Sequence, residues 1–177
     1  MPALRGEGFG FGTPEEVHSC MLGTVRAKLS KKACKGETME INGIAHIFLT
    51  AANFARAREF YSKLLPFLGL KPTIDSAEVF YCVGGRTAVA IRAPSPENAG
   101  AAFDQNRIGL HHLCFRARER GDVDELHAFL ASIGTKIIRA PREDQWAPGY
   151  YSMLFEDPDG IRLEINHVPG KGLLTER

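Results

Sequence analysis

The sequence predicts an α+β protein of two tandem βαβββ modules, whose strands form a curved, mostly antiparallel sheet with the helices on its outer face. Three observations carry this. GIAHIFLTA (43–51) and GLHHLCFRA (109–117) are near-copies at a constant offset of 66, with Gly43/Gly109, Ile44/Leu110, His46/His112, Ile47/Leu113, Leu49/Phe115 and Ala51/Ala117 in matching places. Each copy leads into apolar residues at helical spacing. Three short β-rich runs then follow each helical stretch, bounded by turn residues.

The elements follow in order. Residues 1–38 stand apart as an N-terminal extension, glycine-rich at GEGFGFG and basic from Arg26 to Lys35. Within it, Thr13-Pro14-Glu15-Glu16 offers a helix start, and Val17, Met21, Val25 and Leu29 recur every fourth residue. The extension is therefore either a docked helix over 14–32 or a disordered arm. The main domain spans 39–170, with module one at about 41–94, a polar linker at 95–107 and module two at about 108–168, before a tail at 171–177.

In module one, Ile44 to Thr50 reads as a strand. Phe54, Ala57, Phe60, Tyr61, Leu64, Leu65 and Leu68 mark a helix stopped by Pro66 and Gly69. Strands follow near 71–74, 77–83 and 87–93. Module two opens with a strand from Gly109 to Arg116. A helix then starts at the capping-box-like Asp122-Val-Asp-Glu125, with Val123, Leu126, Phe129, Leu130 and Ile133 inward and Gly134 as its stop. Strands near 136–139, 150–155 and 161–166 complete the module, and Asp157-Pro-Asp-Gly160 turns between the last two.

A chain of 177 residues with 44% hydrophobic content can bury a core unaided. A net charge of +1 provides no field to gather nucleic acid or anionic membrane, which leaves small molecules as partners. No apolar run approaches the roughly 20 residues of a membrane span. The four cysteines (Cys20, Cys34, Cys82, Cys114) have no C-x-x-C spacing, as expected in a reducing, cytoplasmic compartment.

Side chains alternate between the two faces of a strand. If Ile47 and Leu49 pack under the first helix, then Ile44, His46 and Phe48 face the concave side. Likewise Leu113 and Phe115 pack inward, while Leu110, His112, Cys114 and Arg116 face the hollow. Glu164, between Leu163 and Ile165, is an acid in an apolar strand and needs a positive partner or a metal. His46, His112 and Glu164 together form a two-histidine, one-carboxylate set that leaves coordination positions open on a divalent ion, whether Fe, Mn, Zn, Ni or Co. By parity His111 faces the helix and His167 faces away. Tyr150 and Ser152 share the hollow, with Trp146 in the loop before them. Arg92, Arg116 and Arg142 either clamp a carboxylate substrate or stand as solvated rim charges, the rim being the commoner place for surface charge.

GIAHIFL, AREFYSKLLPFLGL, GLHHLCFRA and FEDPDGIRLEINH resemble the vicinal oxygen chelate superfamily of glyoxalases, bleomycin resistance proteins and extradiol dioxygenases, over roughly residues 41–168. The resemblance implies paired βαβββ modules, a homodimer, and metal ligands at His46, His112 and Glu164. Glyoxalase I has a further glutamate where this chain has Ile91 or a neighbour. Extradiol enzymes have a tyrosine where Leu154 stands and a histidine upstream, near 145–147, where none occurs. Fosfomycin-modifying transferases have a threonine where Phe48 stands. The expected function is a metal-dependent enzyme acting on a small molecule with adjacent oxygens, by lyase, isomerase or dioxygenase chemistry. Phe48, Ile91, Cys114, Trp146, Tyr150 and Ser152 are the expected substrate contacts, and no general base is assigned. The alternative is a metal-free sequestration protein of the bleomycin-resistance type.

Overall fold

The structure, a computed structural model, describes residue 41 and residues 43–170. The expected helix over 14–32, Cys20, Cys34 and the tail at 171–177 lie outside the described residues. Module one contains β1 (His46–Thr50), α1 (Phe54–Phe67), β2 (Lys71–Asp75), β3 (Val79–Val83) and β4 (Ala88–Arg92). After a short 3-10 turn at Pro96–Asn98, module two repeats the order as β5 (Leu113–Arg116), α2 (Arg120–Ser132), β6 (Ile137–Glu143), β7 (Tyr151–Glu156) and β8 (Arg162–His167).

The α+β class and the repeated βαβββ order are as the sequence predicts, with two refinements. The strands form two four-stranded sheets, ordered β1-β4-β3-β2 and β5-β8-β7-β6. Both sheets are mixed: the first strand of each module pairs parallel with the last, and the other neighbours are antiparallel.

Local chemistry sets the helix ends. Asn53 caps α1, its Oδ1 accepting from the Arg56 amide at 3.1 Å. The second helix begins earlier than Asp122. Glu119 is its N-cap, and Asp122, three residues in, accepts from the Glu119 amide at 2.8 Å. Asp122 thus supplies the returning half of the capping box and not its start.

Both sheets and both helices contribute to one core, in which Leu49, Tyr61, Leu64, Val89 and Ile91 of module one join Val123, Leu126, Leu130, Phe155 and Leu163 of module two. Phe67 and Phe129 stack across the helices with ring centroids 4.0 Å apart. The turn between β7 and β8 fastens the modules together. Asp157, only 5% exposed, accepts from the amides of Asp159 (2.9 Å) and Ile161 (2.8 Å), while the buried Tyr61 hydroxyl donates to its other oxygen at 3.0 Å. Gly160, at φ +87°, closes this turn in a conformation that a side chain would strain. Asp159 pairs with Arg56 at 2.7 Å and accepts from the Asn53 amide at 3.3 Å.

Burial raises the Asp157 carboxyl above the ordinary range, against the pull of its hydrogen bonds. The folded state therefore holds this proton more tightly than the unfolded chain, and the group's contribution to stability falls as pH rises through the raised value. Asp157→Ala, which orphans the buried Tyr61 hydroxyl and two amides, should cost about 2–3 kcal/mol in urea unfolding. Asp157→Asn should cost less, and its deficit relative to wild type should shrink between pH 4 and pH 7. A deficit that grows over that range would contradict the assignment.

Candidate metal and ligand site

The parallel pairing of β5 and β8 builds the site. Its register sets Leu113 beside Leu163, Cys114 beside Glu164, Phe115 beside Ile165 and Arg116 beside Asn166. The leucines, Phe115 and Ile165 turn to the core, so Cys114, Glu164 and Asn166 turn to the opposite face. Strand β5 starts at Leu113, later than the expected Gly109, and His112 sits just ahead of it. The His112 Nε2 lies 3.3 Å from Glu164 Oε2.

Glu164 is buried, with its second oxygen engaged: the Tyr150 hydroxyl donates to Oε1 at 2.7 Å. The same hydroxyl accepts from Asn166 Nδ2 at 2.8 Å. Burial pushes the Tyr150 hydroxyl up to about 12, with Asn166 pulling down and Glu164 pushing further up, so it stays a donor at neutral pH. Cys114 is exposed as a residue, yet loss of water around its sulfur, with the Glu164 charge second, pushes the thiol up to about 12. Held protonated at neutral pH, the thiol is a weak nucleophile.

His111 does not face the helix. It is exposed, and its Nδ1 lies 2.7 Å from Nδ1 of His112, because this segment precedes the strand and escapes strand alternation. If Nε2 of His112 is to ligate, its Nδ1 must carry the proton and donate to His111. Ser152 is on the Glu164 face but fully buried, accepting from Arg139 Nη2 at 2.7 Å and donating to Asp144 at 3.1 Å. Its hydroxyl is thereby spent internally. Trp146 is 80% exposed.

In module one, His46 and Phe48 lie exposed on the face opposite the core, their rings edge to face at 5.5 Å. Ile91 is placed otherwise than expected. It pairs with Leu49 and is fully buried on the core side, so it cannot touch a ligand on the open face. The position equivalent to Glu164 is Ala90, since Phe48 pairs with Ala90 as Cys114 pairs with Glu164. Phe48 stacks on Tyr81 over this strand, with centroids 5.8 Å apart. At the place equivalent to Glu164, module one thus holds an alanine and no carboxylate.

The structure brings His112 and Glu164 together but does not bring His46 to them. Among the described residues no three His, Cys, Asp or Glu side chains converge closely enough to hold a metal ion. The pair itself fits one. Donor atoms bound about 2.1 Å from one ion sit roughly 3.0–3.4 Å apart, which spans the observed separation. An imidazole nitrogen and a carboxylate oxygen are also the donors that first-row divalent ions take. Asn166, Arg139 and Asp144 were missed by the sequence reading. Alternation from Glu164 would have found the first; the other two depend on the irregular register of β6 on β7 and on the turn that follows β6.

Residues 43–165 match the family model of the glyoxalase/bleomycin resistance protein/dioxygenase superfamily. A Bacillus subtilis protein, the uncharacterized YqjT, is 27% identical over 122 residues, covering 68% of this chain and 94% of its own length. A glyoxalase-type structure from Bacillus halodurans superposes with a TM-score of 0.62 at 26% identity, covering 72% of this chain and 96% of that one. The fold is also that of lactoylglutathione lyase from Agrobacterium tumefaciens, with a TM-score of 0.53 at 21% identity over 73% of this chain and 96% of that one.

Because its hydroxyl is occupied internally, Ser152→Ala should change ligand or metal affinity less than about 2-fold while lowering stability by about 1 kcal/mol. Titration and urea unfolding of one preparation check both. A large loss of affinity with unchanged stability would return Ser152 to the ligand-contacting set.

Proposed function

Since the chain belongs to the glyoxalase/bleomycin resistance protein/dioxygenase superfamily, we propose that it is a metal-dependent enzyme acting on a small molecule with two adjacent oxygens. In this reading His112 and Glu164 of one copy, with His46 of the partner subunit, hold a divalent ion (Fe, Mn, Zn, Ni or Co) in a homodimer. The observation that supports it most is the His112–Glu164 pair, 3.3 Å apart beside a sheet face that carries no other acid in the equivalent place of module one.

The partner copy follows from what each open face leaves uncovered. Ile44 and Phe48 are 63% and 52% exposed beside His46, and Leu110 is 40% exposed near His112. A second copy laying module one on module two would bury these apolar side chains and complete the ligand set in one step.

When bound, the ion would polarise a substrate chelating through both oxygens and stabilise negative charge developing there. The chain's own part is to hold and orient. In this reading Cys114 beside Glu164, and Phe48 of the partner subunit beside the partner's His46, would line the place of the substrate, with Trp146 in the loop before Tyr150. Among the described residues no helix is long and apolar enough to cross a membrane.

Metal analysis of protein purified without chelators, followed by Co(II) titration, tests the reading. One ion per chain is expected. His46→Ala, His112→Ala and Glu164→Ala should each weaken binding by more than about 100-fold, beyond what loss of an outer-shell partner costs. Folded wild type that takes up no ion but binds an aromatic ligand tightly would favour the sequestration alternative.

A further inference from the structure

We propose that Tyr150, fixed by Asn166, is a positioning residue for the Glu164 ligand and not a substrate contact. This rests on the metal reading above. A glutamate carboxylate turns readily about its last torsion, and a strand fixes only its Cα. Something else must choose which oxygen faces the ion. Here Oε1 accepts the Tyr150 proton at 2.7 Å, leaving Oε2 on the side of His112 at 3.3 Å.

The hydroxyl has one proton to give and Glu164 takes it. Its accepting side is filled by Asn166 Nδ2 at 2.8 Å, from the residue two along the same strand and therefore on the same face. Nothing remains to donate to a substrate. The ring is 9% exposed, so it cannot swing out without leaving a void.

The backbone before it is also built for this place. Gly149 has φ +69°, and a Cβ there would lie 2.8 Å from Pro169 Cγ, so this close approach admits glycine alone. Asn166, Tyr150 and Glu164 form a relay of fixed geometry that ends at the ligand oxygen. Outer partners of metal-bound carboxylates tune affinity in this way.

Co(II) titration followed by its visible spectrum tests the role on the full chain. Tyr150→Phe keeps the ring but leaves Glu164 Oε1 and Asn166 Nδ2 without a partner, so it should fold yet unfold at a lower temperature than wild type without metal, and bind Co(II) about 10–100-fold more weakly with a shifted band. Asn166→Ala should weaken binding in the same direction by less. Wild-type affinity and spectrum in Tyr150→Phe would overturn the proposal alone. Should that variant not fold, wild-type affinity in Asn166→Ala would overturn it instead. A wild-type protein that binds no Co(II) would remove the metal reading and this role with it.

Discussion

The parallel register of β5 on β8 is the constraint from which the site follows. With Cys114 beside Glu164, every apolar neighbour on these strands reaches the core and the carboxylate reaches the opposite face. A slip of one residue would drive Glu164 into the core and expose Leu163 and Ile165, so the hydrophobic pattern itself specifies where the acid points. Module one repeats the register with Phe48 beside Ala90, which explains how a duplicated scaffold yields two unlike half-sites: one with a histidine and a carboxylate, one with a histidine alone.

That asymmetry connects to how the modules are joined. Asp157 and Asp159 bind the β7–β8 turn to Tyr61, Arg56 and Asn53 at the first helix, and Phe67 stacks on Phe129. These contacts commit the helical sides of both modules to one shared core. The two histidine-bearing faces are left outward and unmatched within the chain, each carrying apolar side chains beside its histidine. The same packing that stabilises the monomer thus leaves each half-site needing a complement.

Much of this was legible in the residues. The offset between His46 and His112, helical spacing in 54–68, and strand alternation gave the element order and the faces of Phe48, Cys114, Tyr150 and Glu164. Alternation failed where no strand exists, which is why His111 turns to His112 and not to the helix. Ile91 was assigned through a neighbouring place in a related family; pairing with Leu49 sets it in the core, and Ala90 holds the place intended. Ser152 has the face that alternation assigns but is buried, because the irregular register of β6 on β7 brings Arg139 to it and Asp144 follows just beyond that strand, and no periodicity encodes either. The joining role of Asp157 was hidden for a similar reason: turn chemistry announced the turn, while its contact with Tyr61 spans 96 residues.

Whether the ligand set closes between copies is tested most directly by mixing two defective chains. A differently tagged His46→Ala and Glu164→Ala pair, each unable to hold an ion alone, is co-expressed and the heterodimer isolated for metal analysis. Both lesions then fall in one shared site and leave the other whole, so the account predicts one tightly held ion per heterodimer. A heterodimer that holds none, from variants that each fold and dimerise, would contradict it.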